Sequence, residues 1–235
     1  MQISFIIPTL NEAAVLAQTL ASLRQSTEAL NSEIILIDGG SKDQTIAIAA
    51  PFTDRIIQTK AGRALQMNAG AQIAQGEWLM FLHADTLLPQ NIESIWRDKI
   101  MPAKQAWGRF DVRLSGSHPH LRLVAHLMNL RSKMTGIATG DQAIFVRRAL
   151  FQTIGGYAQI PLMEDVELSK RLKRLSRPLC IGSPLVTSSR RWEQRGIWRT
   201  ILLMWKLRFL YFLGVSPSRL VKQYDNSTNY QGNLP

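Results

Sequence analysis

The sequence predicts an α/β fold in which a mostly parallel central sheet is flanked by helices. Short apolar runs that suit strands buried on both faces alternate with segments of helical periodicity. Several runs end in an acidic residue, and the carboxyl ends of parallel strands form the edge at which such sheets bind ligands. The length of 235 residues is ample for one large domain. We assign that domain to residues 1–224, followed by a polar, disordered tail at 225–235.

The elements follow one another in the order of repeated strand–helix units. Asn11 comes after the first apolar run and is a candidate N-cap for the first helix. No run is followed by the glycine-rich loop of dinucleotide-binding dehydrogenases or of P-loop enzymes, which argues against both classes. We expect strands at 3–7, 33–37, 55–58, 78–82, 107–114 and 179–181, with a further apolar run at 143–146. We expect helices that start near residues 12, 45, 62, 89, 121, 148, 161 and 197.

The charge of the chain is unevenly distributed. The net charge is +11, yet residues 1–96 hold 5 Lys and Arg against 9 Asp and Glu, whereas residues 97–235 hold 23 against 8. The basic half should attract phosphate groups, nucleic acid or an acidic membrane surface. One alternative is therefore a nucleic-acid-binding α/β protein. The acidic strand ends disfavour that alternative because they would repel a phosphate backbone, so we expect no nucleic acid as a partner.

The cellular location is also suggested by composition. Cys180 is the only cysteine, so neither an intramolecular disulfide nor a cysteine metal cluster can form. The chain enters a strand-like run at Ile3 without a preceding basic segment, which disfavours a signal peptide. No apolar run approaches the ~20 residues of a membrane span. We therefore expect a cytoplasmic protein.

The apolar run at 78–82 is the central predicted strand, and it ends in the sequence His-Ala-Asp at 83–85. Residues two apart in extended chain point the same way, so His83 and Asp85 should converge. A carboxylate and an imidazole could hold a divalent cation; oxygen ligands suit Mg²⁺ or Mn²⁺, and the imidazole slightly favours Mn²⁺. The alternative is that Asp85 caps the next helix, which Pro89 would open.

Two other acidic points stand at predicted element ends. Asp38 precedes two glycines that let the backbone approach a ligand, and Glu164-Asp165 opens a helix. A parallel sheet would bring both points to the edge that holds Asp85. Asp38 could bind a base or ribose there, and Asp165 could take a proton, while Glu164 need not share that role. The alternative for the pair is a favourable interaction with the dipole of its own helix.

Taken in order, these motifs resemble those of family-2 glycosyltransferases. The resemblance covers residues 3–195 and implies a GT-A fold, with a Rossmann-like sheet and a basic C-terminal helical region. It also implies a metal-assisted, inverting transfer of the hexosyltransferase type from a nucleotide-diphosphate-sugar donor. Residues 1–96 would bind the nucleotide-sugar, and residues 97–224 would bind the acceptor and include the C-terminal helix. The motifs are the segments 4–12, 37–43, 62–70, 83–85 and 164–165.

The resemblance further implies roles for individual residues. Asp165 matches the general base, with Glu164 beside it. Asp85 matches the last aspartate of the D-x-D motif, which helps to hold Mg²⁺ or Mn²⁺, and His83 is the second candidate metal ligand. Arg191, next to Arg190, could stabilise the departing diphosphate. The residues expected to contact the nucleotide or its phosphates are Pro8, Thr9, Asn11, Glu12, Asp38, Gly40, Arg63, Asn68, Ala84 and Asp85.

The sequence departs from the family pattern at two places. His83 replaces the first carboxylate of the D-x-D motif, which puts the strength and selectivity of the metal site in question. The segment 188–192 resembles the Q-x-x-R-W motif of processive synthases but has serine in place of glutamine, so we expect a non-processive enzyme. The compact length and the His-Ala-Asp variant resemble a bacterial subgroup linked to arsenosugar biosynthesis. A nucleotidyltransferase, which would share the nucleotide half and the metal, remains an alternative.

The segment 197–213 is apolar on most sides, and a helix of that kind must be covered by something. We expect it to pack on the core or on a second subunit, as in a homodimer, because its charges do not form one clean polar face. The alternative is an amphipathic helix that lies on the inner face of an anionic membrane. That peripheral contact would bring the site to a lipid-linked acceptor rather than to a small-molecule acceptor.

Overall fold

The computed structural model describes residues 2–228, with side chains at all of these positions except 191, 195 and 225–228. Over this range one sheet of eight strands forms in the order β3-β2-β1-β4-β7-β6-β8-β5. The strands are β1 Ile3–Thr9, β2 Ser32–Asp38, β3 Arg55–Gln58, β4 Trp78–Phe81, β5 Thr86–Leu87, β6 Trp107–Leu114, β7 Phe145–Arg147 and β8 Leu179–Thr187.

Helices cover the sheet and extend beyond it at the carboxyl end of the chain. Short 3₁₀ turns occur at Ala50–Phe52 and Gly140–Gln142, and a π-helical turn occurs at Trp96–Ile100. The helices are α1 Ala13–Ser26, α2 Thr45–Ala49, α3 Arg63–Ile73, α4 Ile92–Ile95, α5 Pro119–Thr135, α6 Arg148–Thr153, α7 Glu164–Leu175, α8 Arg190–Arg195, α9 Ile197–Phe212 and α10 Pro217–Thr228.

The sheet combines a parallel half and a mixed half, which confirms the predicted α/β class. Strands β1 to β4 are mutually parallel wherever they pair. Strand β7 pairs antiparallel with both β4 and β6, and β6 then pairs parallel with β8. The carboxyl ends of β1, β2 and β4 therefore lie at one edge, as the sequence predicts for a ligand-binding sheet.

Both faces of the sheet are buried, which explains why its strands are continuous apolar runs rather than alternating ones. Phe5 and Ile7 point into one core with Trp78 and Trp96, whereas Ile6 points into a second core on the opposite face. Helix α3 packs very closely on that second face. A Cβ atom at Gly70 would lie 2.6 Å from both Ile6 and Ile37, so only glycine permits this approach.

The sequence-based assignment of Asn11 as the N-cap of α1 is wrong. Asn11 does not cap α1; it has a positive φ of 55° and accepts a hydrogen bond from the backbone N–H of Lys42 at 2.8 Å. The first turn of α1 is instead held by Asp43, which accepts from the Ala13 N–H, and by Thr45, which accepts from the Glu12 N–H. The helix start is thus fixed by the loop after β2, about thirty residues away.

The ends of the later elements also differ from the prediction. Strand β8 continues to Thr187 rather than stopping at 181, because its register against β6 shifts between Phe110 and Val112 and so accommodates Pro184. The predicted tail at 225–235 begins inside a helix, since α10 extends to Thr228. The remainder of that predicted tail, 229–235, lies outside the described residues.

Helix α9 packs on the molecule through one side only. Leu207 joins a small core with Val166 and Leu220, in agreement with the expected core packing. Helix α5 contacts α9 and carries a second row of exposed apolar side chains. The members of this α5–α9 apolar surface recur every three or four residues: Leu123, Leu127, Leu130, Met134, Trp198, Leu202, Trp205, Phe209 and Phe212. No helix within residues 2–228 is both long and apolar enough to cross a membrane.

Candidate active site

A cavity of about 920 Å³ opens at the carboxyl edge of the sheet, where the sequence predicts the site. Its polar residues come from distant parts of the chain, including the end of β4 and the starts of α1, α3 and α7. Its other lining is apolar and comes mainly from α5, α9 and the segment before α7. The ionisable residues that line it are Glu12, Arg63, His83, Asp85, Arg131, Asp141, Glu164, Asp165, Arg190, Arg208 and Tyr224.

The segment after β4 forms a turn rather than extended chain. The backbone N–H of Thr86 donates to the carbonyl of His83 at 3.2 Å, so the argument that His83 and Asp85 converge in extended chain is wrong. Both still line the cavity because the turn lies at its edge. The capping alternative is also wrong: α4 begins at Ile92 without a side-chain cap, and Asp85 accepts a 3.4 Å hydrogen bond from Thr187 instead.

His83 is held on both sides of its ring. Its Nδ1 lies 3.3 Å from Oδ1 of Asp141, and a Cβ atom at Gly140 would lie 2.5 Å from its Nε2. These contacts favour an imidazole that positions the loop at 140–142 over one that ligates a metal directly. Sequence reasoning missed Asp141, although the polar Gly-Asp-Gln turn before an apolar run was visible.

The described side chains contain no group of three or more His, Cys, Asp or Glu residues arranged to hold a metal ion. This arrangement still fits Mg²⁺, which proteins usually bind through one or two carboxylates together with substrate phosphates and water. Asp85 supplies such a carboxylate, half-buried in the cavity wall. The chain thus offers a partial site that donor phosphates would complete.

The two carboxylates at the start of α7 have different surroundings. Asp165 accepts hydrogen bonds from the backbone N–H groups of Gly140, at 2.8 Å, and Val166, at 2.7 Å. Glu164 is buried, and its Oε1 lies 3.6 Å from Nη1 of Arg63. Burial raises the pKa of Glu164, and the negative charge of Asp165 raises it further, while Arg63 opposes the shift. The pair therefore divides into an oriented carboxylate, Asp165, and a buried one.

Five of the predicted nucleotide residues lie at the ends of β1 and β2, beside the large cavity rather than in its wall: Pro8, Thr9, Asn11, Asp38 and Gly40. The Asp38 carboxylate is buried and accepts from the backbone N–H groups of Gly40 and Ser41 and from the Ser41 hydroxyl. The loop after β2 is therefore folded around Asp38, with Gly40 at a positive φ of 92°. Pro8 and Thr9 belong to β1, and Thr9 is buried. Their contact with a nucleotide stays a prediction.

Gln66 joins these two strand ends, and sequence reasoning missed it. Its buried Nε2 donates to the carbonyls of Thr9 and Ile37, both at 2.8 Å. One side chain from α3 thus fixes the spacing between β1 and β2 at the ligand-binding edge. The signal available in the sequence was a polar residue, Gln66, on the face of α3 that also buries Ala64 and Met67.

Asn68 and Ala84 have structural surroundings. The amide of Asn68 donates to the carbonyl of Tyr157 at 2.8 Å and accepts from its backbone N–H at 2.9 Å, which fastens the segment before α7 to α3. Ala84 is buried in the turn after β4. Neither side chain lines the cavity, so their predicted donor contacts gain no support from this geometry.

Glu12 and the basic helix α8 meet across the cavity. Nη2 of Arg190 lies 3.7 Å from Oε2 of Glu12, and both residues line the wall. Arg191 follows in the first turn of α8, but its side chain lies outside the described set, so its predicted role at the diphosphate stays a prediction. The arrangement could accept a charged donor on the sheet side and an apolar acceptor between α5 and α9.

Solved structures with the same fold bind nucleotide-sugars. The structure of S. aureus TarS (residues 1–349) in complex with UDP-GlcNAc aligns with a TM-score of 0.66 at 17% identity, covering 80% of this chain and 58% of that one. The mannosyltransferase PcManGT from Pyrobaculum calidifontis, in complex with GDP-Man and Mn²⁺, aligns with a TM-score of 0.59 at 20% identity, covering 80% and 56%. At these identities the likeness shows the fold alone, which is the GT-A glycosyltransferase fold.

Sequence comparison identifies the family. A PGL/p-HBAD biosynthesis glycosyltransferase of Mycobacterium bovis is 36% identical over 174 residues, which cover 66% of this chain and 62% of the relative. The chain thus spans less than two thirds of the length of that relative. The family model "Glycosyl transferase family 2" matches residues 4–151, well over half of the chain. The chain belongs to glycosyl transferase family 2.

Proposed function

We propose that the protein is an inverting, non-processive glycosyltransferase that moves a sugar from a nucleotide-diphosphate donor to an acceptor hydroxyl with the help of Mg²⁺ or Mn²⁺. The observation that carries the proposal is the presence of Asp85 and the backbone-oriented Asp165 in one cavity at the carboxyl edge of the sheet. Family membership favours this function over nucleic-acid binding and over nucleotidyl transfer.

The donor half is supported by the sheet edge and by the relatives. TarS is described with UDP-GlcNAc and PcManGT with GDP-Man and Mn²⁺, so the class of donor is consistent across the fold. In this chain Asp85 would hold the metal, and Arg63 would face the donor phosphates. When bound, the metal would neutralise charge on the diphosphate leaving group. Glu164 keeps the Arg63 guanidinium near the cavity.

The acceptor is activated by Asp165. Two backbone N–H groups fix the orientation of its carboxylate. The ionised carboxylate takes the proton of the acceptor hydroxyl as that oxygen attacks the anomeric carbon from the side opposite the diphosphate. The C–O bond to the diphosphate breaks as the new glycosidic bond forms, so the configuration at the anomeric carbon inverts.

The α5–α9 apolar surface borders the cavity and points to an acceptor that is presented by a membrane. Leu127, Leu130, Met134 and Trp205 belong both to this surface and to the cavity lining. Exposed basic residues flank it, among them Lys133 and Lys206, which suits an anionic lipid surface. We therefore favour peripheral membrane contact and a lipid-linked acceptor over a homodimer and a small-molecule acceptor.

The function is tested by transfer assays with a panel of UDP- and GDP-sugars, with Mg²⁺, Mn²⁺ or chelator present. The expected result is metal-dependent release of the nucleoside diphosphate from one donor, with inverted configuration of the transferred or hydrolysed sugar. Retained configuration would rule out the direct displacement by an Asp165-activated hydroxyl. Release that is unchanged by chelator would rule out the role of Asp85 as a metal ligand.

A further inference from the structure

Two arginines line the candidate active-site cavity without a carboxylate partner among the described side chains. Arg131 is carried by α5 and Arg208 by α9, and both belong to the acceptor half. Among the described residues, Arg63 and Arg190 at the same cavity form ion pairs with N···O distances below 4.0 Å. Arg131 and Arg208 form no such pair with a described carboxylate. The cavity therefore contains two guanidinium groups that have no described carboxylate within 4.0 Å.

Arg131 is unusual in how deeply its polar atoms are buried. Its Nε and Nη2 atoms are inaccessible to solvent and have no hydrogen-bond partner among the described residues. Burial, followed by the positive charge of Arg208, lowers the pKa of Arg131 to about 10. Leaving charged donors buried and unsatisfied costs more than leaving neutral ones, so the arrangement suits a ligand that supplies the missing acceptors.

Two other arginines of the chain, one buried and one half-buried, show the contrast. Arg109 is fully buried, and it pairs with Asp111 and donates to the carbonyl of Asn129. Arg171 pairs with Glu167 and also donates to two backbone carbonyls. In both cases the fold provides a carboxylate and at least one carbonyl for the terminal nitrogens, although Nε of Arg109 also lacks a partner among the described residues. The Arg131–Arg208 pair therefore differs from these structural arginines in facing a cavity that is large enough for a ligand.

The positions of Arg131 and Arg208 in the cavity favour contact with the acceptor rather than with the donor. Arg131 and Arg208 are carried by α5 and α9, the helices that supply much of the apolar lining of the cavity, whereas Arg63 starts α3 and Asp85 follows β4 at the sheet edge. In the proposed function the donor phosphates belong to Asp85 and Arg63. We propose, resting on that function, that Arg131 and Arg208 bind a phosphate group carried by the acceptor, beside the hydroxyl that Asp165 deprotonates. Guanidinium groups suit this role because they donate in a bidentate fork.

Direct binding measurements test the subsite, with inorganic phosphate as the probe and ³¹P NMR or calorimetry as the readout. The variants are Arg208→Gln and Arg131→Gln, with Arg131→Lys as the charge-conserving version. Lys104→Gln is the matched control, because Lys104 is exposed and lies outside the cavity lining. We expect roughly a 10-fold or greater loss of phosphate affinity in each Arg→Gln variant, a smaller loss in Arg131→Lys and none in Lys104→Gln.

The same variants separate the subsite from the donor site. The affinity for UDP or GDP with Mn²⁺ should stay within about 2-fold of the wild type, because the donor uses other residues. A parallel loss of nucleotide affinity would assign the arginines to the donor and overturn the inference while leaving the proposed function intact. If the wild type binds phosphate through these arginines but transfers no sugar, the transferase proposal fails and the anion site stands. If the Arg131→Gln variant does not fold, the Arg208→Gln variant provides the test, because Arg208 is only half-buried.

Competition distinguishes the source of the phosphate group. Glycerol 3-phosphate represents a soluble phosphate ester, and a short-chain phosphatidic acid below its micelle concentration represents a phosphate-bearing lipid. Equal displacement of bound phosphate by both supports a soluble acceptor, whereas tighter binding of the lipid supports an acceptor whose chain lies along Leu127, Leu130 and Trp205. Failure of both to displace phosphate overturns the inference.

Discussion

Nη1 of Arg63 lies 3.6 Å from Oε1 of Glu164, and this ion pair links the start of α3 in the N-terminal half of the chain to the start of α7 in the C-terminal half. Only the Glu164 member is deeply buried, with 7% of its side chain exposed against 45% for Arg63. The charge on Glu164 is therefore the one that the fold must compensate, and Arg63 does so incompletely because the net pKa shift is upward.

Stability should depend on pH through Glu164. Its pKa is raised in the folded protein, chiefly by burial, so the folded state holds this proton more tightly than the unfolded chain does. The resulting stability is present below the ordinary pKa of 4.5 and is lost as the pH rises through the raised value. Glu164→Gln removes this titration. The melting temperature of the variant minus that of the wild type should therefore increase between pH 4 and pH 8; a constant difference would contradict the burial effect.

Asp85→Asn should remove the metal-dependent part of donor binding. The substitution keeps the shape of the side chain and its Thr187 hydrogen bond but removes the negative charge that a divalent cation requires. We expect Mn²⁺ to strengthen UDP or GDP binding to the wild type by roughly 10-fold or more and to have no effect on the variant, as measured by calorimetry. Asp98→Asn, at an exposed site, is the control. Equal Mn²⁺ enhancement in Asp85→Asn would contradict the assignment.

Asp165→Asn should separate catalysis from binding. An amide is not basic at neutral pH, so turnover should fall roughly 10²–10⁴-fold, the range for a general base. The amide also retains only one acceptor oxygen for the two backbone N–H groups, so the melting temperature must be measured alongside. Donor affinity should remain near that of the wild type. Normal turnover with weakened donor binding would instead assign Asp165 to nucleotide recognition.

Gln66→Leu should weaken both the fold and donor binding. Leucine has a similar volume but leaves the buried carbonyls of Thr9 and Ile37 without this donor. We expect a loss of about 1–3 kcal/mol in the free energy of unfolding, measured by urea denaturation. Nucleoside diphosphate affinity should also fall, because the gap between β1 and β2 is no longer fixed. Unchanged stability would show that the two hydrogen bonds contribute little.

The α5–α9 apolar surface should bind anionic vesicles. The double variant Phe209→Ser plus Phe212→Ser removes two side chains that are 61% and 78% exposed and should reduce co-sedimentation with such vesicles several-fold through lost apolar burial. Leu175→Ser, at a 62% exposed site on α7, is the matched control. Wild-type protein that stays in the supernatant at low salt and forms a stable dimer by light scattering would assign the surface to a second copy.

The strand positions could be predicted from sequence because buried strands are continuous apolar runs, as at 33–37 and 78–82. Strand β5 could not, since Thr86–Leu87 is too short for any periodicity. The end of β8 was missed because Gly182 and Pro184 normally indicate a strand end, whereas here a register shift absorbs them. Both errors concern the extent of a strand, which depends on pairing with a neighbouring strand.

The site residues divide in the same way. The meeting of Asp85, Glu164 and Asp165 in one cavity could be predicted because the topology of a parallel sheet brings the ends of its strands and the starts of its helices to one edge. The partners of Asn11, Asn68 and Gln66 could not, because their hydrogen bonds reach 31, 89 and 57 residues along the chain. The family resemblance implied a donor contact at Asn68, whose amide is hydrogen-bonded to the backbone of Tyr157 in the structure, and the role of Gln66 was missed.

The pairing of β5 with β8 has a consequence for the order in which the protein is made. Asp85 receives its hydrogen bond from Thr187, 102 residues later, and β5 has β8 as its neighbour at the end of the sheet. During synthesis the first four helices and the parallel strands can form while this region is still incomplete. Asp85 gains its native surroundings only after residue 187 has left the ribosome, so a nascent chain can form the carboxyl edge of β1 and β2 well before the surroundings of Asp85 are complete.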